Sequence, residues 1–236
     1  MVKKIWLIVS ALLNVVLVIA CIWLYRHQST VDNTKSEEQS VKTDMLFSTS
    51  YQDGNIVFIG EERMQMCNWK SLFGTNKIAN LAIYKNTIKD EIERAAFIFD
   101  NNTPSQIVLM LGVQDLQMGI PVNEIYNDFV SYIELLQNKL PQTEIIVIPV
   151  LPVTPEDNRV YPAITINNIK ALNTMIKIYA LDKGLTYVNL FIDFYIEQFD
   201  CMKADFNIGD GFHFSQKGYF VFRERLRPYL RLDEEE

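Results

Sequence analysis

The sequence predicts a three-layer α/β/α sandwich on a five-stranded parallel sheet, preceded by one N-terminal transmembrane helix. Three observations predict it. Five short β-rich apolar runs alternate with longer segments of helical period. The runs are apolar almost throughout, as in residues 107–111 (IVLML), so each strand is covered on both faces. An apolar stretch of about twenty residues, long enough to cross a bilayer as a helix, lies near the start of the chain.

In chain order, residues 1–4 form a cytoplasmic N-terminus and residues 5–25 a transmembrane signal anchor interrupted only by Ser10 and Asn14. Lys3 and Lys4 precede the span, and acidic residues follow Arg26 and His27, so the positive-inside bias places the bulk of the chain on the extracytoplasmic side. Bulky Ile22, Trp23 and Leu24 continue the apolar run where a cleaved signal would carry small residues. Two readings of Cys21 stand, an apolar residue of the span or the lipidated cysteine of the box Val18-Ile19-Ala20-Cys21. Residues 26–52, rich in Ser, Thr, Asp, Glu and Lys without an apolar period, read as a polar linker.

The folded domain is expected over residues 53–232. Its strands are NIVFIG, KIANLAI, QIVLMLGV, EIIVIPVLP and LTYVNLF, and its helices lie near residues 88–99, 122–140, 165–183 and 215–230. The strand and helix alternation calls for parallel strands joined by right-handed crossovers. In such sheets the functional residues gather at the carboxyl ends of the strands. Residues 233–236 form an acidic tail.

Net charge and ligand types exclude several functions. A charge of -7 argues against nucleic acid, whose binding draws on clustered Lys and Arg. Three cysteines without a CxxC pair, and only two histidines, form no zinc-binding pattern. No metal and no cofactor is implied. Cys67 and Cys201 are candidates for one disulfide if the domain faces an oxidising compartment.

Four blocks stand at the strand ends or before the last helix: Gly60-Glu61-Glu62-Arg63, the segment from Asn80 to Asn86, Gly112-Val113-Gln114-Asp115, and Asp210-Gly211-Phe212-His213. With LPVTP after the fourth strand, their order and spacing resemble the SGNH/GDSL-type hydrolases, whose sandwich is flavodoxin-like, over essentially the whole domain. The resemblance implies hydrolysis or transfer of an acyl or acetyl group. In that family a Gly-Asp-Ser serine attacks the carbonyl, the histidine of Asp-x-x-His takes its proton, and the aspartate orients the histidine. The serine N–H, a glycine of the second block and an asparagine of the third hold the oxyanion.

Carried over by position, those roles meet three substitutions. Glu62 stands at the nucleophile position, and Lys85 and Gln114 stand at the oxyanion positions. Asp210 and His213 alone match, as a remnant catalytic pair. A carboxylate cannot be activated as a serine hydroxyl is, and its charge opposes the oxyanion. The resemblance with these substitutions implies a membrane-anchored domain without serine-esterase activity that binds a glycan, an acyl group or a protein partner. The alternatives are a residual or altered esterase, deacetylase or acyltransferase using His213 and Asp210, and a structural subunit of an envelope complex. Glu62 is expected to pair with Lys85 across the old oxyanion pocket. Glu61 reads as an exposed turn residue, Phe212 and Phe214 as flanks that narrow access to His213, and Met64, Met66, Trp69, Leu72 and Phe73 as one face of a partly buried helix.

Overall fold

The computed structural model describes residues 51–154 and 164–232, together with Val16, Leu17 and Ala20. Those three are helical; the rest of the expected span, the linker up to residue 50 and the acidic tail lie outside the described residues. Among the described residues no helix is long and apolar enough to cross a membrane.

The central sheet has five parallel strands, β1 (Ile56–Gly60), β2 (Ile78–Asn80), β3 (Gln106–Met110), β4 (Glu144–Val147) and β5 (Thr186–Tyr187), in the order β2-β1-β3-β4-β5. Two short helices, α1 (Glu62–Gln65) and α2 (Trp69–Phe73), join β1 to β2, and α3 (Ile88–Ile98) leads to β3. After β3 come α4 (Val113–Gln117) and α5 (Val122–Lys139), and α6 (Ile166–Asp182) leads into β5. Beyond β5 lie α7 (Phe191–Phe194), a small antiparallel hairpin of β6 (Tyr195–Ile196) and β7 (Cys201–Met202), and α8 (Gln216–Leu226).

Strand periodicity divides the core. Val57, Ile59, Ile107, Leu109 and Val147 face one layer, where they meet Ile88, Phe129, Ile133 and Leu172. Alternate residues Ile56, Phe58, Val108, Met110 and Ile146 face the other, against Trp69, Phe73, Phe222 and Leu226. The α3 start follows from local chemistry: Thr87 and Asp90 form a reciprocal capping box. Ser215 caps α8 by accepting from Gly218 N–H.

The five expected strands and four long helices are all present. Met64, Trp69 and Phe73 are buried as expected, whereas Met66 is 61% exposed because α1 ends before it and the chain turns. No disulfide joins Cys67 and Cys201. Tyr51 belongs to the packed domain, since its hydroxyl donates to Asn102 O at 2.7 Å and its ring meets the Phe99 edge. Because β1 lies between β2 and β3, the chain leaves β1 toward β2 on one side and leaves β3 toward β4 on the other. The loops after β1 and β3 therefore part at the switch point where such sheets form their sites.

Candidate functional site

The turn after β1 begins at Gly60, where a Cβ would lie 2.6 Å from Met64 Cγ and 2.8 Å from Met110 O. No other residue fits there without movement, so the chain turns sharply from strand to helix. Glu61 caps α1 through Arg63 N–H at 2.9 Å, and its other oxygen meets Arg63 Nε at 2.7 Å. It is 2% exposed, which corrects the expectation of an exposed turn residue. The reason is the adjacent guanidinium: Arg63 is itself buried, so the two charges enter the interior as a pair. Burial pushes the Glu61 carboxyl above its ordinary range, partly offset by Arg63.

Glu62, at the first turn of α1, is buried too. Its Oε1 lies 3.2 Å from His213 Nε2, while Asp210 Oδ2 lies 2.6 Å from His213 Nδ1. The imidazole is held between two carboxylates. Asp210 Oδ1 also accepts from the backbone N–H groups of Phe212 and His213 at 3.0 and 2.9 Å, which folds the Asp-x-x-His segment into a tight loop. That loop is closed by Ile208 N–H donating to His213 O and tied to the chain after β4 by Thr154 N–H donating to Gly211 O.

The electrostatics follow from this arrangement. The Glu62 carboxylate, with Asp210 behind it, raises the His213 pKa against the opposing effect of burial. Burial pushes Asp210 up, but the bonds from His213 and the two N–H groups outweigh it and leave its carboxyl below the ordinary range. The Nδ1 contact to Asp210 is a hydrogen bond, whereas neither Glu62 oxygen has a hydrogen-bond partner among the described residues, so Glu62 faces the ring as a close charge.

Lys85 stands in the loop after β2 at a φ of 55°, the left-handed region that favours glycine, and its Nζ lies 4.9 Å from the Tyr84 ring centroid. A buried network supports this loop from below. Asn86 Nδ2 donates to Glu91 Oε1 at 2.5 Å, Glu91 pairs with Arg94 at 3.4 Å, and Arg94 Nη2 donates to Leu81 O at 2.6 Å. Gln114 occupies the first turn of α4 after Gly112, whose φ is 109°; it is 8% exposed, and its buried Oε1 has no hydrogen-bond partner among the described residues. Its neighbour Asp115 is fully buried and accepts long bonds, 3.3 and 3.4 Å, from Ile88 N–H; burial pushes its pKa up to about 6.

Phe212 and Phe214 are buried core residues on either side of His213. The Arg63 guanidinium lies 4.4 Å from the Phe212 ring centroid and 5.2 Å from that of Phe214. The structure thus brings Glu62, His213 and Asp210 together, and places Lys85 on the loop after β2 and Gln114 in the first turn of the helix after β3. Sequence reasoning missed Arg63 and Asp115. The alternation Glu61-Glu62-Arg63 within one turn was a signal for the first; nothing local marked the second. Among the described residues no group of three His, Cys, Asp or Glu side chains is placed to hold a metal ion. Cavities of about 300 and about 580 Å³ lie along the β2 edge, lined among others by Lys70, Ile78 and Ala79, and not at the Glu62–His213 contact.

Comparison with known proteins adds the following. A family model described as GDSL-like Lipase/Acylhydrolase matches residues 65–220, more than half of the chain, beginning just past the Gly60–Arg63 turn. A solved structure from Streptococcus pneumonia, described as a platelet activating factor, is 25% identical, covering 86% of this chain and 96% of its own, with a TM-score of 0.74. A structure from Bacteroides fragilis assigned as an acylhydrolase is 18% identical, covering 81% and 94%, with a TM-score of 0.67. A GDSL-like lipase from Bacteroides thetaiotaomicron is 18% identical, covering 81% and 96%, with a TM-score of 0.65. At that identity the two Bacteroides structures speak to the fold alone. No curated protein matches the chain.

Proposed function

Because the chain belongs to the GDSL-like lipase/acylhydrolase family, we propose that it keeps the family fold without serine-ester hydrolysis and acts by binding a glycan, an acyl group or an envelope protein. On this reading it does so outside a membrane to which its N-terminal segment anchors it. One observation carries the proposal: the buried Glu62 carboxylate, at the nucleophile position, lies 3.2 Å from His213 Nε2.

The chemical consequence is twofold. The nitrogen that would take a proton from serine instead faces a carboxylate that favours its protonated form. A negative charge also occupies the place where acyl transfer must build another. Loss of the nucleophile costs about a million-fold in triad hydrolases, and loss of one oxyanion donor about a hundred- to thousand-fold more. Binding is supported by Met66, Met118 and Ile208, which are 61, 62 and 62% exposed; Met66 and Met118 follow the short helices after β1 and β3, and Ile208 bonds to the His213 backbone.

The test is hydrolysis of p-nitrophenyl acetate by the full chain in detergent, with His213→Ala alongside. Turnover at the level of buffer in both is expected. Turnover in the parent that His213→Ala abolishes would overturn the reading in favour of a second one, an altered esterase, deacetylase or acyltransferase. That second reading draws on the intact Asp210–His213 contact of 2.6 Å. The triple variant Glu62→Ser/Lys85→Gly/Gln114→Asn, run in the same assay, asks whether restoring the three positions restores the chemistry. If it does not, and the parent is silent, the role of a structural subunit in an envelope complex gains ground.

A further inference from the structure

We infer that Arg63 is the positioning residue of the Glu62–His213 contact: its guanidinium holds the loop carrying the imidazole against the turn carrying the carboxylate. Arg63 and Glu62 are adjacent on α1, so wherever the guanidinium is pinned, the Glu62 side chain is pinned within one residue. Three attachments fix the guanidinium, and the Arg63 carbonyl, accepting from Tyr219 Oη at 2.7 Å, fixes its backbone. Nε meets Glu61 Oε1 at 2.7 Å, and Nη1 donates to Leu151 O at 3.3 Å. The third is aromatic, with the Phe212 and Phe214 rings 4.4 and 5.2 Å from the guanidinium carbon. Those rings are the residues immediately before and after His213, so the cation grips the imidazole loop from both sides.

The remaining donor fits this geometry. Buried Nη2 has no oxygen acceptor among the described residues, and a guanidinium whose Nε and Nη1 are bonded in its plane to a carboxylate and a carbonyl presents its face to aromatic rings. A lysine keeps the charge but cannot bond to Glu61 and Leu151 while lying flat on a ring. The pattern is therefore specific to arginine. The side chain connects the turn after β1, the segment after β4 and the Asp210–His213 loop, and the backbone carbonyl of the same residue adds α8.

The experiment reads His213 directly. The chain has two histidines, so histidine-selective isotope labelling of the full chain in detergent gives two imidazole signals, assigned by His27→Gln. The His213 titration midpoint is measured in the parent, in Glu62→Gln, in Arg63→Lys and in Phe214→Leu. The last variant leaves the Glu61–Arg63 pair and the Phe212–His213 ring contact in place and conserves an apolar core side chain, so it tests the grip even if Arg63→Lys folds poorly. Glu62→Gln lowers the midpoint by removing the facing charge. Arg63→Lys and Phe214→Leu are expected to lower it in the same direction by a smaller amount, with circular dichroism unchanged. A residue that served only packing would alter the melting temperature and leave the midpoint where it is. Folded Arg63→Lys and Phe214→Leu proteins with the parental midpoint would overturn the inference.

Discussion

Glu61–Arg63 and Lys170–Asp200 are both ion pairs with a nitrogen to oxygen distance of 2.7 Å, and they share almost nothing else. The side chains of the first are 0 and 3% exposed and lie under the candidate site. Those of the second are 42 and 54% exposed and join α6 to the β6–β7 hairpin, where Tyr195 Oη also binds both partners. In the exposed pair the bond to Asp200 raises Lys170, and the bond to Lys170 lowers Asp200. In the buried pair burial wins, and the Glu61 carboxyl rises despite its cation. Distance alone does not set the strength of an ion pair; the medium around it decides whether losing one partner is trivial or severe.

The sharpest way to break this comparison is Arg63→Ala. It strands Glu61 as an uncompensated buried carboxylate and takes the cation from two aromatic rings, at an expected cost of about 3–5 kcal/mol in denaturant unfolding at neutral pH. The cost should shrink in Glu61→Leu/Arg63→Ala, where no charge is left to strand. A single variant within about 0.5 kcal/mol of the parent would show that solvent reaches Glu61 and that the two pairs do not differ as described.

Asp115 sharpens the same point from the other side, as a buried carboxylate whose pKa is raised further by two acids, Asp128 and Asp90. Burial raises its pKa to about 6 from 3.8, so the folded state holds a proton more tightly than the unfolded one. The sign follows: its contribution to stability is fully present below about pH 4 and is lost as pH rises through about 6. At pH 7 the ionised side chain opposes folding by on the order of 1–3 kcal/mol. Asp115→Asn retains an oxygen for Ile88 N–H and removes the charge. Stability should rise by about that amount at pH 7 and change little at pH 4, measured by urea unfolding at both. A loss of stability at pH 7 would mean that the two long bonds from Ile88 outweigh burial.

These two residues also mark where the sequence stops being legible. The strands and the long helices were readable because each carries enough periods to declare itself. The Asp210–His213 pair was readable because its geometry is local: three residues in one turn place both backbone N–H groups and the ring on a single carboxylate. The two-residue strands β6 and β7 and the helices of four or five residues carry no usable period. Glu61 looked like a surface residue because its burial depends on Arg63, and Arg63's own burial depends on Phe212 and Phe214 at the far end of the chain. Glu62 was assigned Lys85 by loop adjacency, and its ion contact in the structure is with His213, delivered by the loop before α8. Lys85 sits at a φ of 55°, the left-handed region that favours glycine.

The smallest effect belongs to the exposed pair, and it tests the comparison most finely because its short distance would otherwise suggest strength. Lys170 and Asp200 are solvated before they meet, so pairing them exchanges water contacts for one another and costs side-chain freedom. A double-mutant cycle with Lys170→Met and Asp200→Asn is expected to give a coupling of about 0.2–1 kcal/mol at low salt. Raising the ionic strength to about 1 M shortens the screening length to about 3 Å and should remove most of it. The shared Tyr195 hydroxyl complicates the arithmetic, since Asp200→Asn also alters the bond it makes to Tyr195; repeating the cycle in Tyr195→Phe isolates the ionic part. Asp200 adds a second effect of its own: it sits at a φ of 51°, where asparagine is tolerated as well as aspartate, so the chosen substitution leaves the backbone preference in place. A coupling well above 1 kcal/mol that survives salt would show that the hairpin shields the pair far more than its exposure implies, and would move it toward the regime of Glu61 and Arg63.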